Sequence, residues 1–195
     1  MTKPRSLTLA ALILSVCAGS ASWAQQITNY TTEGNLEATH DIGCADSDQI
    51  SNGHTPADLY MGLGECLKDG KLEDGVLLFA LAGVYGQYDT LRVSDPSAHQ
   101  ATTMLRKTYL DSADESTRTK FGEILQDTLG APDGLERICS EIRKIGAPDY
   151  FPRYMIQHGM KAMTGQSTKD GLVVDFEPEP AWESSLDTYL HCPGV

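Results

Sequence analysis

The sequence predicts an all-α protein: a single domain of about six antiparallel helices, stapled by disulfides. Three observations point there. From Thr55 onward, apolar residues recur at helical spacing, and cap-and-stop signals rather than strand-like alternation separate the runs. Gly and Pro fall close together between runs, so links are short and successive helices pack antiparallel. Four cysteines, Cys44, Cys66, Cys139 and Cys192, follow an export-type N-terminus, where an even number implies paired sulfurs.

The N-terminus has the layout of a signal peptide. Lys3 and Arg5 form a basic start, and Leu7 to Val16 is an apolar run too short to span a bilayer. Ser22-Trp23-Ala24 offers a small-x-small cleavage site. The expected organisation is a signal peptide over 1–24 and one helical domain over 25–195, starting near Gln25. Leu14-Ser15-Val16-Cys17 offers a lipoprotein alternative anchored at Cys17. Val16 stands where that signal has Gly, Ala or Ser, so soluble export is favoured. No second apolar stretch is long enough for stable membrane insertion.

Residues 25–54 are rich in Thr, Asn, Gly and Asp and read as an irregular lead segment tied down at Cys44. Thr55-Pro56-Ala57-Asp58 then starts a helix, with a Thr cap, Pro at the first position and an acid in the first turn. Leu59, Leu63, Cys66 and Leu67 form its stripe, and Gly70 ends it. Leu72 to Leu91 is apolar nearly all round, which marks the central helix. Asp95-Pro96 restarts the pattern, carried by Ala98, Ala101, Leu105 and Tyr109. Further helices are expected from Asp114 to Leu129, from Pro132 to Ile145 and from Pro148 to Met163. The stripe of the last is Tyr150, Phe151, Tyr154, Met155 and His158, read as core with His158 a partnered imidazole. Lys169-Asp170-Gly171 signals a turn, Leu172 to Phe176 a short extended run, and Pro180 a final helix to Leu190. Of the three possible cysteine pairings, Cys44–Cys66 and Cys139–Cys192 are favoured. Each would join an irregular segment to a nearby helix and add about 3–4 kcal/mol by loop entropy.

Charge narrows the partners. The chain carries 15 basic against 27 acidic residues, a net charge of −12, and loss of Lys3 and Arg5 would make it more negative by two. Such a chain does not bind nucleic acid through phosphates, and it is attracted to a basic protein surface.

The stretch "GVYGQYDTLRVSDPSAHQA", Gly83 to Ala101, concentrates the polar side chains of interest. Tyr85, Tyr88, Asp89 and Arg92 share a helical face, Asp95 caps the next helix and His99 lies one turn in. No serine or cysteine nucleophile accompanies His99, so the stretch reads as a helix joint, with an Asp89–Arg92 pair and tyrosines at a binding rim. His40-Asp41 resembles the metal pair of HD phosphohydrolases but lies in a loop-like segment. Asp46, Asp48 and Asn52 suggest calcium only superficially, since Ile50 fills a ligand position and no Glu closes the loop. No G-x-S-x-G, Walker loop or H-E-x-x-H is present. The reading is therefore a binding protein without a cofactor, and not an enzyme. In "FEPEPAWESSLDTYL", Glu177, Glu179 and Glu183 surround Trp182, either an acidic linker with a core tryptophan or an acidic edge with an aromatic anchor. The partner-contact set taken from these stretches is Tyr85, Tyr88, Asp89 and Trp182, with Glu179 and Glu183 at the rim.

Ala57 to Gln87 resembles a tetratricopeptide or Sel1-like helical hairpin, with Leu59, Gly62, Gly75, Phe79 and Ala82 near that repeat's spacing. Gly75 stands where the repeat usually has Ala, and no second copy follows. The run "LYMGLGECLKDGKLEDGVLLFALAGVYGQYDTLRVSDPSAHQA", with "AWESSLDTYLHCPG" at the C-terminus, resembles small exported helical proteins of Gram-negative bacteria encoded beside type VI secretion effectors. Among these it looks most like the periplasmic immunity proteins that neutralise phospholipase effectors. The resemblance implies helical-hairpin packing, a periplasmic location and a stoichiometric inhibitor of a toxic effector. It does not assign contact residues. A periplasmic helical adaptor of the cell envelope is the alternative.

Overall fold

The computed structural model describes residues 32–166 and 170–194. The expected signal peptide, Cys17, the first residues of the lead segment and Lys169 of the expected turn lie outside them. Among the described residues there are eight α-helices and no strand: α1 (Pro56–Asp69), α2 (Leu72–Arg92), α3 (Ala101–Asp111), α4 (Glu115–Gly130), α5 (Pro132–Ile145), α6 (Arg153–Ile156), α7 (Met160–Met163) and α8 (Pro178–Ser185). One hydrophobic cluster runs from Ala45 to Cys192 through all the long helices. Among the described residues, no helix is long and apolar enough to cross a membrane.

The first helix starts where its punctuation says it should. The Thr55 hydroxyl accepts from the Asp58 amide at 3.3 Å, and the Asp58 carboxylate accepts from the Thr55 amide at 2.7 Å, a reciprocal capping box. Gly70 takes the left-handed conformation, φ 72°, and the Lys71 amide closes back on Cys66 O at 2.9 Å. That tight stop turns the chain directly into α2, so α1 and α2 form an antiparallel hairpin. In α2, Leu78, Leu81, Val84 and Tyr85 are fully buried, because neighbours pack on nearly every side of it. Asp114 caps α4 through the Thr117 amide and hydroxyl, at 3.1 and 2.7 Å. From there α4 buries Phe121 against Phe79, ring centroids 5.9 Å apart. In α5 the inward face is Ile138, Cys139 and Ile142.

Asp58 does more than cap. Its buried carboxylate also accepts from the Thr39 amide at 2.5 Å and the His40 amide at 2.8 Å. The irregular lead segment is thus tied to α1 by one side chain, and again by the Cys44–Cys66 disulfide. Burial alone would raise the Asp58 pKa, but the donors from His40, Thr55 and Thr39 outweigh it and hold it below the usual carboxylate range.

The C-terminal third departs from expectation. No continuous helix runs from Pro148 to Met163. The chain makes only α6 and α7, separated near Gly159, which is extended at φ −73°, ψ 150°. Pro152 cannot donate the amide that a helix opening at Pro148 would need there. At Gly159 the chain crosses so close to Asp95 that a Cβ would lie 2.5 Å from Asp95 Oδ2. The amides that follow are satisfied from afar: Met160 N donates to Ser97 Oγ at 2.8 Å and Lys161 N to Asp95 Oδ2 at 2.9 Å. The expected helix after Asp95-Pro96 begins as a 3₁₀ turn, Pro96–Gln100, before α3. The extended run at 172–176 makes one antiparallel bridge, Leu172 to Val93, and no strand. The last helix starts two residues earlier than expected, at Pro178, and ends in a π-helical turn, Leu186–Leu190.

Both favoured cysteine pairings are present, with Cα atoms 4.7 Å apart in Cys44–Cys66 and 5.7 Å apart in Cys139–Cys192. Sequence separations of 22 and 53 residues correspond to about 3 and about 4 kcal/mol of loop entropy. Oxidised protein should therefore show no reactive thiol among these four cysteines when titrated in denaturant, and reduction should lower its melting temperature. Four reactive thiols would refute the pairing.

Asp58 gives a pH dependence of definite sign. Its folded pKa is depressed, so its contribution is complete above the unfolded value near 4 and is lost as pH falls through the folded value. Asp58→Asn should destabilise the protein by about 1–3 kcal/mol at pH 7, since the replacement amide cannot accept all these bonds. The deficit should shrink as the pH falls below about 4. Urea melts at pH 7 and pH 3 check this; an equal deficit at both would refute it.

Candidate functional site

The face of α2 singled out in the sequence turns inward. Asp89 is 0 % exposed, and its carboxylate gathers three donors. Arg92 Nε reaches Oδ1 at 2.7 Å, while the Tyr154 and Tyr150 hydroxyls reach Oδ2 at 2.7 and 2.9 Å. The Arg92 guanidinium lies 5.0 Å from the Tyr88 ring centroid and 4.8 Å from that of Tyr150, so the cation is packed by aromatic faces. Burial pushes the Asp89 pKa up, and Arg92 and the two phenols offset only part of that.

Aromatic side chains extend this hub. The Tyr85 hydroxyl donates to Gly146 O at 2.7 Å, just beyond the end of α5. The Trp182 ring on α8 lies 6.0 Å from Tyr85 and 6.4 Å from Tyr88, and Phe176 meets Tyr88 edge-on at 5.4 Å. Four of the expected partner contacts are therefore corrected: Tyr85, Tyr88, Asp89 and Trp182 are core side chains, 9 % exposed at most. This face of α2 is covered by the segment from Gly146 to Tyr154 and by α8, which leaves it no surface for a rim. The core alternative for Trp182 is the one realised. Glu179 and Glu183 are exposed on α8.

Asp95 and His99 do not form a catalytic pair. Asp95 Oδ1 accepts from the Ser97 amide and hydroxyl at 3.1 and 2.7 Å, and His99 Nε2 donates to Val93 O at 2.9 Å. The stretch is the helix joint expected. His158 is partly buried and paired with Asn35, Nδ1 to Oδ1 at 2.9 Å, and burial lowers its pKa. Phe151, expected in the core with it, is 52 % exposed because α6 starts only after Pro152. His40 and Asp41 sit in the lead segment, where the His40 ring tilts against His54 at 5.4 Å. In the acidic loop, Asp46 N donates to Gln49 Oε1 at 3.0 Å and Asn52 Nδ2 to Ala147 O at 3.1 Å, a capped turn. Among the described residues, no group of three or more His, Cys, Asp or Glu side chains is placed to hold a metal ion.

Sequence reasoning passed over a cleft on the other side of α2. Gly83, Gly86, Tyr60, Thr102, Arg106 and Tyr189 are among the residues that line it. A Cβ at Gly83 would overlap the Tyr189 ring. The legible signal was two glycines three apart inside an otherwise apolar helix, the mark of a close approach.

No family model, curated protein or solved structure matches the chain.

The hub has a large energetic role that substitution can measure. Asp89→Asn leaves the Arg92 cation buried without its anion, a change expected to lower stability by about 3–5 kcal/mol. Tyr154→Phe deletes one of three donors and should lower it by about 1–3 kcal/mol. Urea unfolding at pH 7 separates the two; a smaller effect for Asp89→Asn than for Tyr154→Phe would refute this assignment.

Proposed function

We propose that this chain is an exported protein that binds a toxic secreted effector, of lipase type, and inhibits it stoichiometrically to protect the producing cell. The observation that carries the reading is an unneutralised acidic ridge. Residues 170–194 include Asp170, Asp175, Glu177, Glu179, Glu183 and Asp187, all exposed, and contain no Lys or Arg. Glu179, Glu183 and Asp187 follow one another at four-residue steps along α8 and the π-helical turn. The ridge is anchored from beneath by Trp182 and from its end by Cys139–Cys192. A rigid, single-sign surface of this kind steers a basic partner and costs little ordering entropy on docking. The resemblance to periplasmic immunity proteins supplies the effector class, and the paired cysteines suit an oxidising compartment.

Two measurements test it together. Association with a lipase-type effector encoded in the same genome should slow between about 50 mM and 500 mM salt, as the Debye length falls from about 14 to 4 Å. Glu179→Lys with Glu183→Lys should slow it at least tenfold at the lower salt while leaving the melting temperature unchanged. Protection of periplasm-targeted cells should saturate at one inhibitor per effector. Protection at far lower ratios would indicate turnover and refute the reading. An envelope defect on deletion in the absence of any toxin would favour the adaptor.

A further inference from the structure

A short loop at the head of the acidic ridge presents two apolar side chains to solvent. Val174 is 74 % exposed, the most of any large apolar residue among the described ones, and Val173 beside it is 40 % exposed. A lone surface valine is ordinary, but these two are held out in succession by backbone that is fixed on both sides. On the entry side, Val173 N donates to Arg92 O at 2.8 Å and Ser94 N to Gly171 O at 2.9 Å, the two bonds of the Leu172–Val93 bridge. Gly171, at φ 78°, lies so close to α6 that a Cβ would be 2.9 Å from Ile156 Cγ2. On the exit side, Phe176 packs edge-on against Tyr88 and Pro178 opens α8. Between them Asp175 takes the left-handed conformation, φ 57°, and turns the chain directly after Val174. Asp is one of the few residues other than Gly that accept this conformation. The valines are flanked along the chain by Asp170, Asp175 and Glu177, all exposed.

We propose that the Val173–Val174 tip enters the apolar acyl-binding groove of the effector, while Asp175 and Glu177 meet basic side chains at the mouth of that groove. The proposal rests on the reading of this chain as an inhibitor of a lipase-type effector. An enzyme that takes phospholipids needs an apolar groove for a fatty chain beside a cationic site for a phosphate. The loop carries the matching order, two exposed aliphatic side chains followed at once by carboxylates. Its charge disfavours other occupants. A second copy would set carboxylates against carboxylates around the valines, and an anionic bilayer would repel them. A loop already fixed at both ends loses little freedom on docking, so burial of the valines goes into affinity. A groove filled by the tip excludes lipid, and inhibition is competitive, with no bond made or broken.

The test uses the oxidised protein and the purified lipase-type effector encoded in the same genome, with dihexanoyl phosphatidylglycerol below its micelle concentration as substrate. The unaltered protein should bind the effector, raise the apparent KM and leave kcat unchanged. Val173→Ser with Val174→Ser should weaken binding by roughly tenfold or more through faster dissociation, since two buried aliphatic side chains are lost. The salt dependence of association and the melting temperature should stay as they were, because both positions are exposed and uncharged. Val174→Ile, which keeps an aliphatic side chain at the tip, should retain binding. Undiminished binding by the double serine variant, or inhibition that lowers kcat at unchanged KM, would overturn the role of the loop and leave the inhibitor reading standing. No binding by the unaltered protein would overturn that reading and the role of the loop with it.

Discussion

A carboxylate buried in the last turn of α2 constrains everything packed around it. Asp89 cannot stay in the core unless donors converge on it, and those donors come from the same helix and from the α6 region. The fold must therefore bring Tyr150 and Tyr154 back across α2, although they lie 61 and 65 residues further along the chain. The Pro148–Met163 segment does so without being one straight helix. Pro152 and Gly159 break it at the places where the path must turn.

The first and last described segments are secured by a second kind of tie. The lead segment has few apolar residues to bury, and its attachment relies on backbone amides pointing at Asp58, on Cys44, and on α6. Leu36 N donates to Tyr154 O at 3.1 Å, and Glu33 pairs with Arg153 at 2.8 Å. Tyr154 thus serves the hub with its hydroxyl and the lead segment with its carbonyl. At the other end, α8 is held by Trp182 and by the disulfide to α5. The core helices supply hydrophobic burial, and the irregular segments supply directed bonds, as expected where the backbone cannot satisfy itself.

How much of this was legible follows from which interactions are local. The starts of α1 and α4, the stop at Gly70 and the pairing of Asp89 with Arg92 depend on residues within four positions of each other, and the sequence reading found them. The cysteine pairs were favoured because each joins an irregular segment to a nearby helix. Misplaced features depended on distant partners. Tyr85, Tyr88 and Trp182 have the composition of a contact surface and of a core equally, and only the crossing of α8 over α2 decides between them. Asp58 looked like an ordinary first-turn acid, because its Thr39 and His40 donors precede it by 19 and 18 residues. The cleft beside Arg106 is assembled from α1, α2, α3 and the C-terminal turn, and its only local trace was the glycine pair on α2.

The Cys139–Cys192 bond also changes what a break in the chain would mean. It closes a covalent ring that runs through the end of α5, α6, α7 and α8. A single peptide cleavage anywhere inside that ring opens it without releasing a fragment: the C-terminal piece, Trp182 and the acidic ridge included, stays attached through sulfur. The molecule can be nicked once in this third of its length and still present one connected surface. The two pieces separate only where something reduces the bond.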